Sequence, residues 1–275
     1  MEFTSDVISL DVTNHVATVW LDRPEARNAL GSAFWRDLPL ACHAVSADND
    51  VRVLVLAAKG PHFSVGLDLK EFGGNLGGSE SARSKAASSA KTYQDIRALQ
   101  ASVNALADLD IPVIAAIHGY CIGGAIDLIC ACDIRVASTD SVFSVRETKV
   151  AIVADLGTLQ RLPRIVGAGH VAELAFTGKD IDAERAEQIG LVNSTHEGGR
   201  EDVLAAAYAL AQEIASNSPL AVKGTKAVLA ANEGRSVNEG LDFVARWNTM
   251  YLASNDLVEA MSAFMERRPP TFRGD

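Results

Sequence analysis

His118-Gly119-Tyr120-Cys121-Ile122-Gly123-Gly124-Ala125-Ile126-Asp127 is the stretch on which the fold turns. The apolar run 111–117 before it reads as a buried strand, and helical spacing over 123–132 follows it. The stretch is thus a tight strand-to-helix turn, in which Gly123 and Gly124 permit the bend and a close approach to the backbone. A helix that starts this way leaves N–H groups unpaired at its positive end. A second turn, Ser64-Val65-Gly66-Leu67-Asp68, follows the nearly unbroken apolar run 51–57 and precedes polar sequence in the same manner. Two backbone donors aimed at one oxygen form an oxyanion hole, and removing one typically costs ~3 kcal/mol of barrier. Taken singly, each glycine turn is also what an ordinary chain reversal needs.

Working outward, residues 7–12 and 16–21 read as strands around the turn-prone pair Thr13-Asn14, and 31–45 as a helix. Residues 73–89, rich in Gly, Ser and Ala, read as a mobile loop grading into a helix that ends near 109. Residues 134–137 begin another strand. Strand, turn and helix recur, which predicts an α/β chain of stacked ββα units. Beyond His196 the pattern changes to four helices, over 201–216, 219–232, 237–252 and 256–267. The expected organisation is a core over 1–196 and a helical region over 197–275.

The composition excludes several classes. The chain has 275 residues, 48% of them hydrophobic, and a net charge of −10. That supports one large core and argues against an extended nucleic-acid surface, which needs clustered Lys and Arg. Cys42, Cys121, Cys130 and Cys132 suggest neither a disulfide framework nor a metal site, since no second Cys/His pair stands near Cys130-Ala-Cys132. No signal peptide, membrane span or C-terminal peroxisomal signal is visible, so a reduced, cytoplasmic setting is expected. There is no G-x-G-x-x-G and no P-loop. His62-Phe63-Ser64-Val65-Gly66 approaches a nucleophile elbow but has His where the first Gly belongs.

Three carboxylates carry the chemistry: Asp127, Glu147 and Asp155. Their neighbours are mostly apolar, which raises the proton affinity of a carboxylate and suits it to moving protons. Each has a structural alternative. Asp127 could complement its own helix N-terminus. Glu147 could pair with Arg146 or Lys149. Asp155, just before Leu156-Gly157-Thr158, could cap the helix that follows.

These stretches resemble the crotonase (enoyl-CoA hydratase/isomerase) superfamily. The likeness is carried by Leu21-Asp22-Arg23-Pro24-Glu25-Ala26-Arg27-Asn28-Ala29-Leu30, by Phe63-Ser64-Val65-Gly66-Leu67-Asp68-Leu69-Lys70, by His118 to Gly124, and by Gly157-Thr158-Leu159-Gln160-Arg161-Leu162-Pro163. Within it the chain is most similar to the Δ3,5-Δ2,4-dienoyl-CoA isomerases. Those carry Asp, Glu and Asp at the positions of Asp127, Glu147 and Asp155, whereas hydratases normally have Glu and Gly at the first and third.

The resemblance implies a crotonase-like spiral of ββα units with a C-terminal helical trimerisation region, assembled as a homotrimer or dimer of trimers. It implies an acyl-CoA thioester as substrate, with no metal or redox cofactor and no nucleic acid or membrane partner. The oxyanion hole would be the N–H groups of Leu67 and Gly124. Glu147 would take a proton from C2 and Asp155 would give one to C6, with Asp127 tuning the pair. This requires Glu147 ionised and Asp155 protonated, hence separated pKa values. The substrate would lie along Arg27, Ala29, Ser64, Val65, Gly66 and Asp68, with Arg267 and Arg268 as further phosphate partners and 73–89 shaping the acyl pocket. An enoyl-CoA hydratase and a non-catalytic binding protein of the same fold, RNA-binding relatives included, are the alternatives.

Overall fold

A computed structural model describes residues 3–76 and 85–275. In chain order the strands are β1 (Ile8–Thr13), β2 (Val16–Leu21), β3 (Val53–Ala58), β4 (Val113–Ile117), β5 (Tyr120–Ile122), β6 (Ile134–Ser138), β7 (Val142–Ser144), β8 (Ile181–Asp182) and β9 (Ser194–His196). Among the described residues they form a six-stranded sheet, β1-β2-β3-β4-β6-β9, and a three-stranded one, β5-β7-β8. β1 and β2 are an antiparallel hairpin whose turn residues Asn14 and His15 are left-handed (φ 50° and 67°). The other pairings of the large sheet are parallel.

The helices are α1 (Ser32–Ser46), α2 (Leu69–Leu76), α3 (Lys85–Ala107), α4 (Gly124–Cys130), α5 (Thr158–Arg161), α6 (Ala168–Thr177), α7 (Ala183–Gln188), α8 (Arg200–Ala215), α9 (Pro219–Ala231), α10 (Val237–Tyr251) and α11 (Asn255–Glu266). The unbroken apolar run at β3 now has its reason: the strand is covered on both faces. Leu54, Leu56 and Ala58 join a core with Leu38, Ala41 and Val45 of α1 and Val103 and Leu106 of α3. Val53, Val55 and Ala57 face the other way, onto Val203, Ala207, Ala211 and Ala215 of α8. Alanines at that spacing let the helix backbone lie close to the sheet.

Two expectations change. Residues 73–76 are not loop: α2 continues through Gly73 and Gly74 to Leu76, and α3 has begun by Lys85. Asp68 starts α2 by accepting from the N–H groups of Lys70 (3.1 Å) and Glu71 (3.3 Å), and the Ala-rich start of α3 outweighs its serines. The remainder of the expected loop, 77–84, lies outside the described residues. Second, the sequence changes character at 196, but α8 beyond it still packs on the sheet. Past Ala215 the helices are largely solvent-facing, with Leu241, Met250, Val258, Met261 and Phe264 all exposed.

Ala211 is fully buried between helix and sheet. Ala211→Leu should therefore lower the unfolding free energy by about 1–3 kcal/mol through overpacking, measured by urea denaturation. An unchanged midpoint would mean that α8 does not seal this face.

Candidate active site

The two glycine turns are laid side by side by strand-like pairing. Ser64 N–H donates to the Tyr120 carbonyl (2.9 Å) and Ile122 N–H to the Ser64 carbonyl (3.1 Å). Gly66 is left-handed (φ 81°), and a Cβ there would lie 2.5 Å from the Ile122 carbonyl oxygen and 3.1 Å from the Gly124 nitrogen. No other residue type fits so close an approach.

Following each N–H along the first turn shows what this leaves over. Ser64 donates to Tyr120, Val65 to the Arg27 carbonyl (3.2 Å), Gly66 to Ser64 Oγ (3.1 Å), and Asp68 to the Leu30 carbonyl (3.1 Å). Leu67 alone among these five has no acceptor among the described residues. On the second turn Ile122 and Gly123 are engaged, the latter with the Ser144 carbonyl (2.9 Å), while Gly124 N–H has no acceptor among the described residues. The spare donors are neighbours, since a Cβ built on Gly124 would be 3.9 Å from the Leu67 nitrogen. Leu30 and Trp35 line the same face of Gly124.

Glu147 comes to this place from the short 3-10 turn Glu147–Val150. Its Oε1 is 3.6 Å from the position of a Cβ on Gly123. Its Oε2 is buried with no partner among the described residues, a state that costs on the order of 1–3 kcal/mol. The surface pairing with Arg146 does not form, because that guanidinium goes to Asp180 and to Ser144 Oγ.

Asp127, on α4, is 1% exposed. Its Oδ1 accepts from both the N–H (2.6 Å) and the Oγ1 (2.8 Å) of Thr158. It thus caps α5, not the helix it belongs to. The sequence offered Asp155 for that duty, but the N-cap position is Gly157 and the orphan donor goes to Asp127. Asp155 is left with its backbone carbonyl held by Gln100 Nε2 (2.6 Å). No side chain of another described residue holds its carboxylate. Thr158 and Gln100 are the functional neighbours that sequence reasoning missed. Thr158 stands inside a quoted motif, whereas nothing local marks Gln100.

The three carboxyl groups feel one another. Burial, opposed by the Thr158 bonds and helped by the charges of Glu147 and Asp155, pushes Asp127 up to about 7. Burial first and the Asp155 charge next raise Glu147. Burial likewise raises Asp155. Glu147 and Asp155 thus both move upward, with burial the first cause for each.

The other expected site residues divide. Ser64 is fully buried and its hydroxyl donates to the Asn28 carbonyl (2.7 Å), so it shapes the turn from behind. Asp68 is buried and pairs with Arg23 (2.7 Å) while capping α2. Both side chains brace the turn from within. Val65 and Ala29 are half-buried and Arg27 is exposed beside the turn. Arg27 and Asn28 are consecutive left-handed residues, and the Asn28 amide donates to the carbonyls of Lys59 and His62 (2.9 Å each), fixing the loop. Arg268 is taken by Glu259 and Glu266 within its own chain. A groove of about 1600 Å³ between α3, α5 and α9 has Asp155 on its wall, but neither glycine turn nor Glu147. It adjoins the carboxylate cluster without containing it.

A family model for enoyl-CoA hydratase/isomerase matches residues 11–275. The peroxisomal Delta(3,5)-Delta(2,4)-dienoyl-CoA isomerase of Arabidopsis thaliana is 42% identical over 269 residues, covering 98% of this chain and 96% of its own. The mitochondrial Delta(3,5)-Delta(2,4)-dienoyl-CoA isomerase of Homo sapiens is 40% identical over 267 residues, covering 94% and 80%. The crystal structure of an enoyl-CoA hydratase from Bacillus anthracis superposes with a TM-score of 0.88 at 30% identity, covering 98% and 100%.

The raised pKa of Asp127 has a consequence for stability. The folded protein keeps a proton that the unfolded chain releases above its ordinary value of 3.8, so stability falls as pH rises from there to about 7 and is then level. The loss is at most about 1.4 kcal/mol per pH unit in that window. Asp127→Asn, which can still accept from Thr158, should unfold at a higher temperature than the wild type at pH 8 and lose that advantage near pH 4. A variant less stable than the wild type at pH 8 would contradict burial as the cause.

Proposed function

The chain belongs to the enoyl-CoA hydratase/isomerase family, and we propose that within it the chain isomerises a 3,5-dienoyl-CoA to the 2,4-dienoyl-CoA. The observation that carries this reading is the meeting of two spare backbone donors, Leu67 and Gly124, with Glu147, whose buried Oε2 has no partner among the described residues, and with Asp155, whose carboxylate no other described side chain holds. The names of the relatives in Arabidopsis and man support it.

The thioester oxygen accepts from the Leu67 and Gly124 N–H groups, which acidifies C2. The C2–H bond breaks and its proton passes to Glu147. The electron pair spreads as an enolate over the conjugated chain, with its charge concentrated on the oxygen that the two donors hold. A C6–H bond forms with the proton of Asp155, and the double bonds move from 3 and 5 to 2 and 4. Glu147 ends protonated and Asp155 ionised, so one proton must return from the first to the second before the next turnover. Oriented dipoles suffice for the enolate, so neither metal nor redox cofactor has a step to perform.

Asp155 is partly exposed in the free chain. An apolar acyl tail lying over it removes water and raises its proton affinity further, which favours the protonated form there. Asp127 has its Oδ1 committed to Thr158 and is one methylene shorter than a Glu, so it is poorly placed to hold an attacking water together with Glu147. That argues against hydration as the main reaction.

Arg27, Ala29 and Val65 line the approach to the thioester and are the residues we assign to CoA. The exposed apolar side chains of α10 and α11 suit burial in a trimer or a dimer of trimers. Among the described residues no helix is long and apolar enough to cross a membrane. The four free, buried cysteines suit the reduced, cytoplasmic setting that we retain as part of the proposal.

Glu147→Gln and Asp155→Asn, each shown to fold, should both lower kcat on a 3,5-dienoyl-CoA by about 10²-fold or more, with a smaller effect on KM. Near-normal turnover by either variant removes that residue from the scheme. A wild type that hydrates a 2-enoyl-CoA rapidly and leaves the dienoyl substrate unchanged overturns the isomerase assignment.

A further inference from the structure

Asp155 is a short side chain on a loop, and among the described residues no neighbouring side chain orients its carboxylate. Where its proton sits is set by the backbone, and the backbone is tied at three successive places. Gln100 Nε2 donates to the Asp155 carbonyl (2.6 Å). Gly157 is left-handed (φ 130°) and lies under the Arg161 guanidinium, which occupies the space of a Cβ and donates to Asn104 Oδ1 (2.5 Å). Thr158 is fastened to Asp127. The first tie comes from α3, as does the Asn104 that holds Arg161 over Gly157, and Gln100 and Asn104 are four residues apart on one face. Arg97, one turn earlier on that face, donates to Gln100 Oε1 (2.7 Å). This fixes which end of the amide points at Asp155, leaving its N–H₂ as the donor.

We propose that Gln100 is a positioning residue for proton delivery at C6, acting through the main chain of Asp155. The inference rests on the isomerase reading above. Gln100 takes no part in the proton transfer itself, its amide being held between Arg97 and the Asp155 carbonyl. It sets the distance from the Asp155 carboxyl to the far end of the tail, and a displacement of about 1 Å at such a point can cost ~10²-fold in rate. The two half-reactions should therefore separate. Removal of the C2 proton depends on Glu147, Leu67 and Gly124, none of which is tied to Gln100.

The test uses Gln100→Met, which keeps the length of the side chain and loses the donor. Two rates are followed by NMR in D₂O with a 3,5-dienoyl-CoA: exchange of the C2 proton and appearance of the 2,4-dienoyl product. The expected result is isomerisation slowed about tenfold or more, with KM and C2 exchange within about twofold of the wild type. Should that variant fail to fold, Gln100→Ala, which adds no bulk, is judged by the same two rates. Unchanged isomerisation overturns the inference. Equal loss of exchange and isomerisation also overturns it, because Gln100 would then support the whole site and not the delivery step. Both of those results leave the isomerase reading standing, whereas a wild type that neither exchanges C2 nor forms product overturns that reading and this inference together.

Discussion

The contact between two turns governs this molecule. Gly66 lies so close to the Ile122 carbonyl and the Gly124 nitrogen that no side chain fits between them. The pairing that produces the contact satisfies the N–H groups of Ser64, Val65, Gly66, Asp68, Ile122 and Gly123, leaving those of Leu67 and Gly124 without acceptors among the described residues. Unmade backbone bonds inside a protein are expensive. Here they are tolerated because each turn comes after a fully buried strand, β3 or β4, and runs into a helix, α2 or α4. The parallel core beneath, with β3 covered on both faces, supplies that rigidity.

The same economy of donors and acceptors explains the carboxylates. Thr158 needs an acceptor for its N–H, and Asp127 provides it from another helix. Asp127 sits buried there, where desolvation raises its proton affinity against the pull of those bonds, and Asp155 is freed from the capping duty its position suggests. Glu147 escapes the pairing its neighbours suggest because Arg146 is drawn to Asp180. Two of the three acids are thus kept available by partners that other residues take up. Shared burial then raises the proton affinity of all three acids, the direction that proton transfer at neutral pH favours.

Much of this was legible in the sequence, and the reasons are local. The hairpin at Asn14, the apolar runs at 51–57 and 111–117, and the four late helices are written in residue periodicity and turn chemistry. The two glycine turns and the three carboxylates carry a family likeness strong enough to name the fold. What stayed hidden needs chain closure. Nothing near Asp127 announces that its partner is Thr158, 31 residues later, and nothing near Gln100 announces Asp155, 55 residues later. Ser64 and Asp68 looked like ligand contacts because they sit in the turn, yet their side chains point into its bracing. Gly73 and Gly74 looked like loop because glycine is a poor helix former, yet the Asp68 cap carries α2 past them.

The central claim is geometric, and a crystal structure with a bound 2,4-dienoyl-CoA tests it most directly. The account predicts the thioester oxygen about 2.7–3.1 Å from both the Leu67 and Gly124 nitrogens, with the Glu147 carboxylate at C2 and the Asp155 carboxyl at C6. A thioester seated away from those two donors, or a tail whose C6 lies out of reach of Asp155, would contradict it.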